Sequence, residues 1–176
     1  MADFLTDIHA LRTKAREQIM KGPVTEAYRA DLPKVIELLN TALATEIVCT
    51  LRYRQHHFMA KGLNSEPVAQ EFLVHSNEEQ GHADLLAARI AQLGGTPELD
   101  PARVVGRAHS EYVPAVDLRQ MIHENLVAER IAIASYTEMI GWLGDGDPTT
   151  RRILEEILAR EEEHADDMLT FLESDL

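Results

Sequence analysis

Apolar residues return every three or four positions along almost the whole chain, and the alternating pattern of strands is missing. The sequence therefore predicts an all-α protein. Phe4, Ile8, Leu11, Ala15 and Ile19 share one stripe over residues 4–20, an amphipathic leading helix that Gly22-Pro23 ends. Asp31 suits an N-cap and Pro33 a first turn; Val35, Leu38, Leu39, Leu43, Ile47 and Leu51 then carry a longer helix to Gly62. A third helix starts at Ser65-Glu66-Pro67 and stops at Gly94-Gly95, and Asp117 caps a fourth that runs to Gly144. After the turn Asp145-Gly146-Asp147-Pro148, a last helix continues nearly to Leu176. Residues 94–116 form a long connection in which Asp100-Pro101 and the residues to Ala108 read as a cap with one or two helical turns. Four helices of about 27–30 residues, each ~40–45 Å long, predict a four-helix bundle with one long crossover over residues 31–176. Residues 1–30 form an N-terminal extension to it.

Composition narrows the class. With 176 residues, 45% of them hydrophobic, the chain can build one full core without disulfides. A formal charge of -13 repels nucleic-acid phosphates and anionic lipid and draws in small cations. The single Cys49 excludes an intrachain disulfide and four-cysteine metal sites. Neither a signal peptide nor a membrane span is expected, which together with the lone cysteine predicts a soluble, cytoplasmic protein.

Two Glu-x-x-His tetrads stand out, Glu79-Gln80-Gly81-His82 on the third helix and Glu161-Glu162-Glu163-His164 on the last. With 19 Glu and 8 His, chance alone supplies about one, so the tetrads mean little without their positions. One helix before each lies a glutamate in an otherwise apolar stripe: Glu46 among Leu39, Leu43 and Cys49, and Glu129 among Ile122, Leu126 and Ile133. Thirty-three residues separate Glu46 from Glu79 and thirty-two separate Glu129 from Glu161, and each inward glutamate has a tyrosine seven residues on, Tyr53 and Tyr136. The chain thus carries an internal pseudo-repeat.

Four uncompensated carboxylates in a bundle core would be prohibitively costly. Two divalent ions resolve the problem, because four glutamates and two neutral histidines balance their charge. An i, i+3 spacing lets each tetrad offer both its ligands to one face, with carboxylates bridging the ions. Oxygen-rich ligation with one imidazole per ion suits iron or manganese, and zinc could enter by affinity. Taken singly, the elements have plainer readings. Glu155, Glu156, Glu162 and Glu163 read as a solvated face, Glu46 as a partner for Arg52 or Arg54, His82 as a core histidine, and Tyr53 and Tyr136 as packing. Glu78 reads as a solvated glutamate that could otherwise shuttle iron, and Gly81 as a mark of close helix approach or of room beside a metal. The matching offsets on four helices favour the metal reading.

At these residues, over about 31–173, the chain resembles the ferritin-like di-iron proteins. The resemblance implies a ligand set of Glu46, Glu79, His82, Glu129, Glu161 and His164 within one subunit, closer to bacterioferritin than to Dps proteins, whose iron site lies between subunits. Tyr53 stands where bacterioferritins keep a tyrosine beside the di-iron centre. Gln80 stands where they carry the haem-binding methionine, so no haem is expected. Twelve residues follow His164, too few for the short fifth helix of large ferritin shells, whereas the leading helix and the helix in the crossover are as in Dps-type shells. The combination resembles a Dps-like protein with a bacterioferritin-type site, and implies a dodecameric shell.

The resemblance implies an iron storage and detoxification protein. It would oxidise Fe²⁺ with hydrogen peroxide or dioxygen at an intrasubunit ferroxidase centre of two irons and store Fe³⁺ in the cavity. One alternative is a di-iron oxidase or peroxidase acting on an organic substrate. Another is a Dps-type nucleoid protein, disfavoured because residues 1–30 hold five Lys/Arg against four Asp/Glu, a weak basic tail on an acidic chain.

Overall fold

The computed structural model describes residues 7–62 and 65–174. After α1 (Ile8–Glu17) and a single 3₁₀ turn (Ile19–Lys21), the chain forms α2 (Leu32–Met59), α3 (Ser65–Gln92), α4 (Pro101–Arg107), α5 (Leu118–Leu143) and α6 (Pro148–Glu173). No strand occurs among the described residues. The starts of the helices follow local chemistry. Asp31, Asp100, Asp117 and Asp147 each accept a hydrogen bond from a first-turn backbone N–H, and Pro33, Pro101 and Pro148 sit where an N–H is not needed. α3 stops at Gly94, whose φ of 83° suits glycine; a Cβ on the next residue, Gly95, would come 2.8 Å from the Ile36 side chain.

α2 and α3 form one antiparallel hairpin and α5 and α6 the other. The crossover between them runs up the outer face of α2, pinned in sequence order. Asn40 donates to Thr96 O and accepts from Glu98 N, Thr45 Oγ1 accepts from His109 N, Arg52 donates to Glu111 O, and His56 Nε2 lies 3.0 Å from Val113 O. α5 therefore begins at the end of the bundle where α2 stops, which brings the two halves of the pseudo-repeat face to face.

The core divides along the bundle. One apolar cluster includes Leu39, Leu43, Leu86, Ile90, Met139, Leu154 and Ile157; the other is built on Phe72, Met121, Ile122 and Met168. Each buried Leu, Ile or Phe among them contributes roughly 1.5–3 kcal/mol. Between the two clusters lies a polar layer.

The leading helix differs from expectation. It starts at Ile8 rather than at residue 4, Phe4 lies outside the described residues, and no residue of α1 is buried. Ile8, Leu11 and Ile19 stay exposed, so the apolar stripe is not buried against the bundle, while Lys14 and Gln18 beside it bond Glu26. The link to the bundle lies further on, where Val24, Tyr28 and Ala30 pack against the first cluster and Tyr28 donates to Asp147.

Candidate metal centre

The polar layer is made of the six residues singled out in the sequence. Glu46 comes from α2, Glu79 and His82 from α3, Glu129 from α5, and Glu161 and His164 from α6. All are buried, His82 the least so at 8% exposure. Their side chains fall into two groups able to hold an ion, Glu46–Glu79–His82–Glu161 and Glu79–Glu129–Glu161–His164, each with its potential ligand atoms within 4.8 Å of one another. Glu79 and Glu161 belong to both groups, as bridging carboxylates would. His82 Nδ1 lies 2.9 Å from Glu161 Oε1 and 3.3 Å from both Glu46 Oε2 and Glu79 Oε2; His164 Nδ1 lies 3.5 Å from Glu79 Oε1 and 3.8 Å from Glu161 Oε2.

The donor set fits two divalent ions. Glu79 Oε1, Glu129 Oε2, Glu161 Oε1 and His164 Nδ1 are buried without a hydrogen-bond partner in the protein, and all belong to these groups. Buried polar atoms are nearly always satisfied, so four orphans on the residues of one cluster need an explanation, and cations supply it.

Electrostatics agree. Burial, and then the charge of Glu79, push Glu46 up to about 8. Burial, again followed by Glu79, raises Glu129 and Glu161. Burial also acts against charge on Glu79, but the neighbouring imidazoles of His164 and His82 outweigh it and hold Glu79 below the usual carboxylate range. The two histidines likewise overcome burial: the carboxylates of Glu46 and Glu79 push His82 up to about 10, and Glu79 foremost pushes His164 up to about 9. Without metal the layer is neutralised by protons, which an arriving cation must displace.

The tyrosines do more than pack. Tyr53, seven residues after Glu46, donates to Glu129 Oε1, while Tyr136, seven residues after Glu129, donates to Glu46 Oε1 at 2.5 Å. Each half of the repeat thus holds the glutamate of the other. Glu46 finds no arginine, since Arg52 is engaged with Asn125 and Glu111 O, and Arg54 with Asn77.

Other expectations are corrected. Glu78 is not a free solvated group, because its Oε2 lies 2.8 Å from His164 Nε2, on the opposite edge of the ring from the metal groups. Gly81 is exposed and a Cβ there would meet nothing, so it marks no close helix approach. The expected solvated face of Glu155, Glu156, Glu162 and Glu163 is exposed.

Sequence reasoning missed His75. It is 1% exposed, stacks on His164 with ring centroids 4.0 Å apart, and places Nδ1 3.2 Å from the Tyr53 hydroxyl. Burial and the neighbouring His164 push it down to about 4, so its imidazole is neutral. Its position four residues before Glu79, one turn along the same face, is the signal that could have found it.

Comparison with known proteins agrees with this architecture. A family model described as the ferritin-like domain matches residues 36–175. A bacterioferritin of Rhodobacter capsulatus is 31% identical over 147 residues, covering 81% of this chain and 83% of that protein. A nutrient stress-induced DNA-binding protein of Nostoc is 29% identical over 166 residues, covering 90% of this chain and 87% of its own. Among solved structures, a dodecameric thioferritin, the bacterioferritin-related protein of Bacteroides fragilis, superposes with a TM-score of 0.79 at 35% identity, covering 82% of this chain and 87% of that one. With a bundle, a buried Glu/His layer and relatives of one kind, the chain belongs to the ferritin-like family.

Proposed function

We propose that this protein is a ferroxidase of iron storage and detoxification, taking up Fe²⁺ at an intrasubunit centre of two irons and holding the Fe³⁺ product in a shell of identical subunits. The observation that carries this reading is the pair of four-residue groups sharing Glu79 and Glu161, with their orphaned oxygens and nitrogen. Glu46 and His82 would be the terminal ligands of one ion, and Glu129 and His164 those of the other. Glu79 and Glu161 would bridge them. Iron supplies the redox chemistry, two Fe²⁺ giving up two electrons to hydrogen peroxide or dioxygen. The protein's part is positional and electrostatic: four carboxylates neutralise two divalent ions and favour the higher charge of the oxidised pair. Tyr53 and Tyr136 hold Glu129 and Glu46 in orientation, and Glu78 does the same for His164.

Gln80 lies exposed on α3, and the proposed cofactor set is two irons without haem, with manganese or zinc as substitutes. The B. fragilis relative supports a dodecamer. Phe58, Trp142 and Val116 leave 70%, 49% and 86% of their surface exposed, apolar area that contacts between subunits would cover. No helix among the described residues is long and apolar enough to cross a membrane.

Glu129→Ala tests the centre. We expect it to abolish rapid Fe²⁺ oxidation while circular dichroism shows unchanged helix content; wild-type kinetics would overturn the assignment. The DNA-binding relative of Nostoc and a DNA protection during starvation protein of Pyrococcus furiosus favour DNA protection as a second reading, against which the charge of -13 argues. Retardation of plasmid DNA in a gel at ~150 mM salt would reverse that ordering.

A further inference from the structure

We propose that Glu71, His75 and Asp167 form a third divalent-cation site on the seam between α3 and α6, which takes up Fe²⁺ and passes it by way of Glu78 and His164 to the two-ion centre. The inference rests on the centre proposed above and extends it to how iron reaches it.

His75 is held between two sets of neighbours. Its Nδ1 lies 3.2 Å from the hydroxyl of Tyr53, which donates to Glu129. Its Nε2 faces two carboxylate oxygens, Glu71 Oε1 and Asp167 Oδ2, each at 3.3 Å. These separations match that of neighbouring ligands around an ion with bonds of about 2.1 Å, roughly 3.0–3.4 Å. Tyr53 would fix the ring of His75 from behind, as carboxylates and carbonyls fix the histidines of metal sites. Glu71 and Asp167 keep 34% and 49% of their side-chain surface exposed, whereas His75 is buried, so the site opens to water on one side only.

The groups are linked. Glu71–His75–Asp167 shares His75 with a second group, His75–Glu78–His164, which in turn shares His164 with Glu79–Glu129–Glu161–His164. Each group thus adjoins the next through one shared imidazole, whose two nitrogens face the two groups in the case of His164. The stacked imidazoles of His75 and His164 span the gap.

The pseudo-repeat supplies an internal control. Positions equivalent to Glu71, His75, Glu78 and Asp167 in the other half, counted from the Glu-x-x-His tetrads, hold Ile153, Ile157, Arg160 and Leu85. Ile157 is fully buried in the first apolar cluster. At these positions one half of the repeat offers a cation no Glu, His or Asp, while the other carries a run of such ligands to the surface. A solvated charged face would need no buried histidine in its middle.

The test uses the full chain and Glu71→Gln/Asp167→Asn, whose altered side chains are partly exposed and near in shape to the originals. In Co²⁺-soaked wild-type crystals, anomalous diffraction should place two ions in the centre and a third bonded to His75 Nε2 and the carboxylates of Glu71 and Asp167. In the double variant the third ion should vanish and the other two remain. A wild type with no third ion, or a third ion unmoved in the variant, overturns the site; a third ion with an empty centre overturns instead the function proposed above. In stopped flow with two Fe²⁺ per chain, oxidation by the variant should slow by about tenfold with the same final extent. An unchanged rate overturns the route to the centre.

Discussion

Glu46 and Glu129 each break an apolar stripe, and their burial forces a choice among protonation, an ion pair and a metal. No arginine reaches Glu46; its Oε1 accepts from Tyr136 instead. Tyr136→Phe should therefore leave the fold intact but lower divalent-metal affinity by roughly tenfold, read by competition with a chromophoric chelator. The layer's protons predict a second effect. Glu46 sits at about 8, His82 at about 10 and His164 at about 9 before metal arrives, so at neutral pH each holds a proton that a cation must replace. Mn²⁺ addition to the metal-free protein in weak buffer should acidify the solution, and affinity should climb as pH rises from about 6 to 9. A pH-independent affinity would contradict this protonation pattern. These glutamates were legible in sequence because a charge at a helical core position violates its own period. His75 and Glu78 were not: both sit on the same helix as a ligand, but α6 has to cross α3 before either meets His164 or Asp167.

At the scale of elements, the four capping aspartates made helix starts readable, since a cap is satisfied within three residues of itself. Asp147 exceeds that role. Besides capping α6 it accepts two hydrogen bonds from Nη2 of the buried Arg89 and one from Tyr28, joining α3, α6 and the N-terminal segment. Burial raises its pKa, but the hydrogen bonds from Thr150 and Arg89 outweigh this and hold it below the usual aspartate range. A depressed folded value means the stabilisation is present above the unfolded value and disappears as pH falls through the folded one. Asp147→Ala should cost about 3 kcal/mol at pH 7 in urea unfolding, with the difference from wild type shrinking below about pH 4. The leading helix shows the limit of pattern reading. Its periodicity identified a helix and an apolar stripe, yet nothing in a period says what the stripe will meet, and among the described residues it stays unburied.

For the whole molecule, the division of the core into two apolar clusters around a polar layer sets where chemistry can occur. Packing on either side holds the ligands at fixed separation in a dry environment, where charges interact strongly. The outer surface bears on assembly. Light scattering should give a mass near twelve chains; a monomer or dimer would remove the shell and turn the search toward an organic substrate.

The sequence by itself determined the helices of the bundle, their caps, the crossover, and the six Glu and His that meet in the polar layer, because helical period, capping chemistry and a repeated charge in an apolar stripe are local or internally duplicated signals. Only the tertiary structure decided that Glu79 and Glu161 belong to both ion groups, that each tyrosine serves the opposite half, and that His75 and Glu78 lie beside His164. Those relations depend on how four helices rotate and register against one another, which is settled by the fit of two apolar clusters rather than by any single stretch of chain.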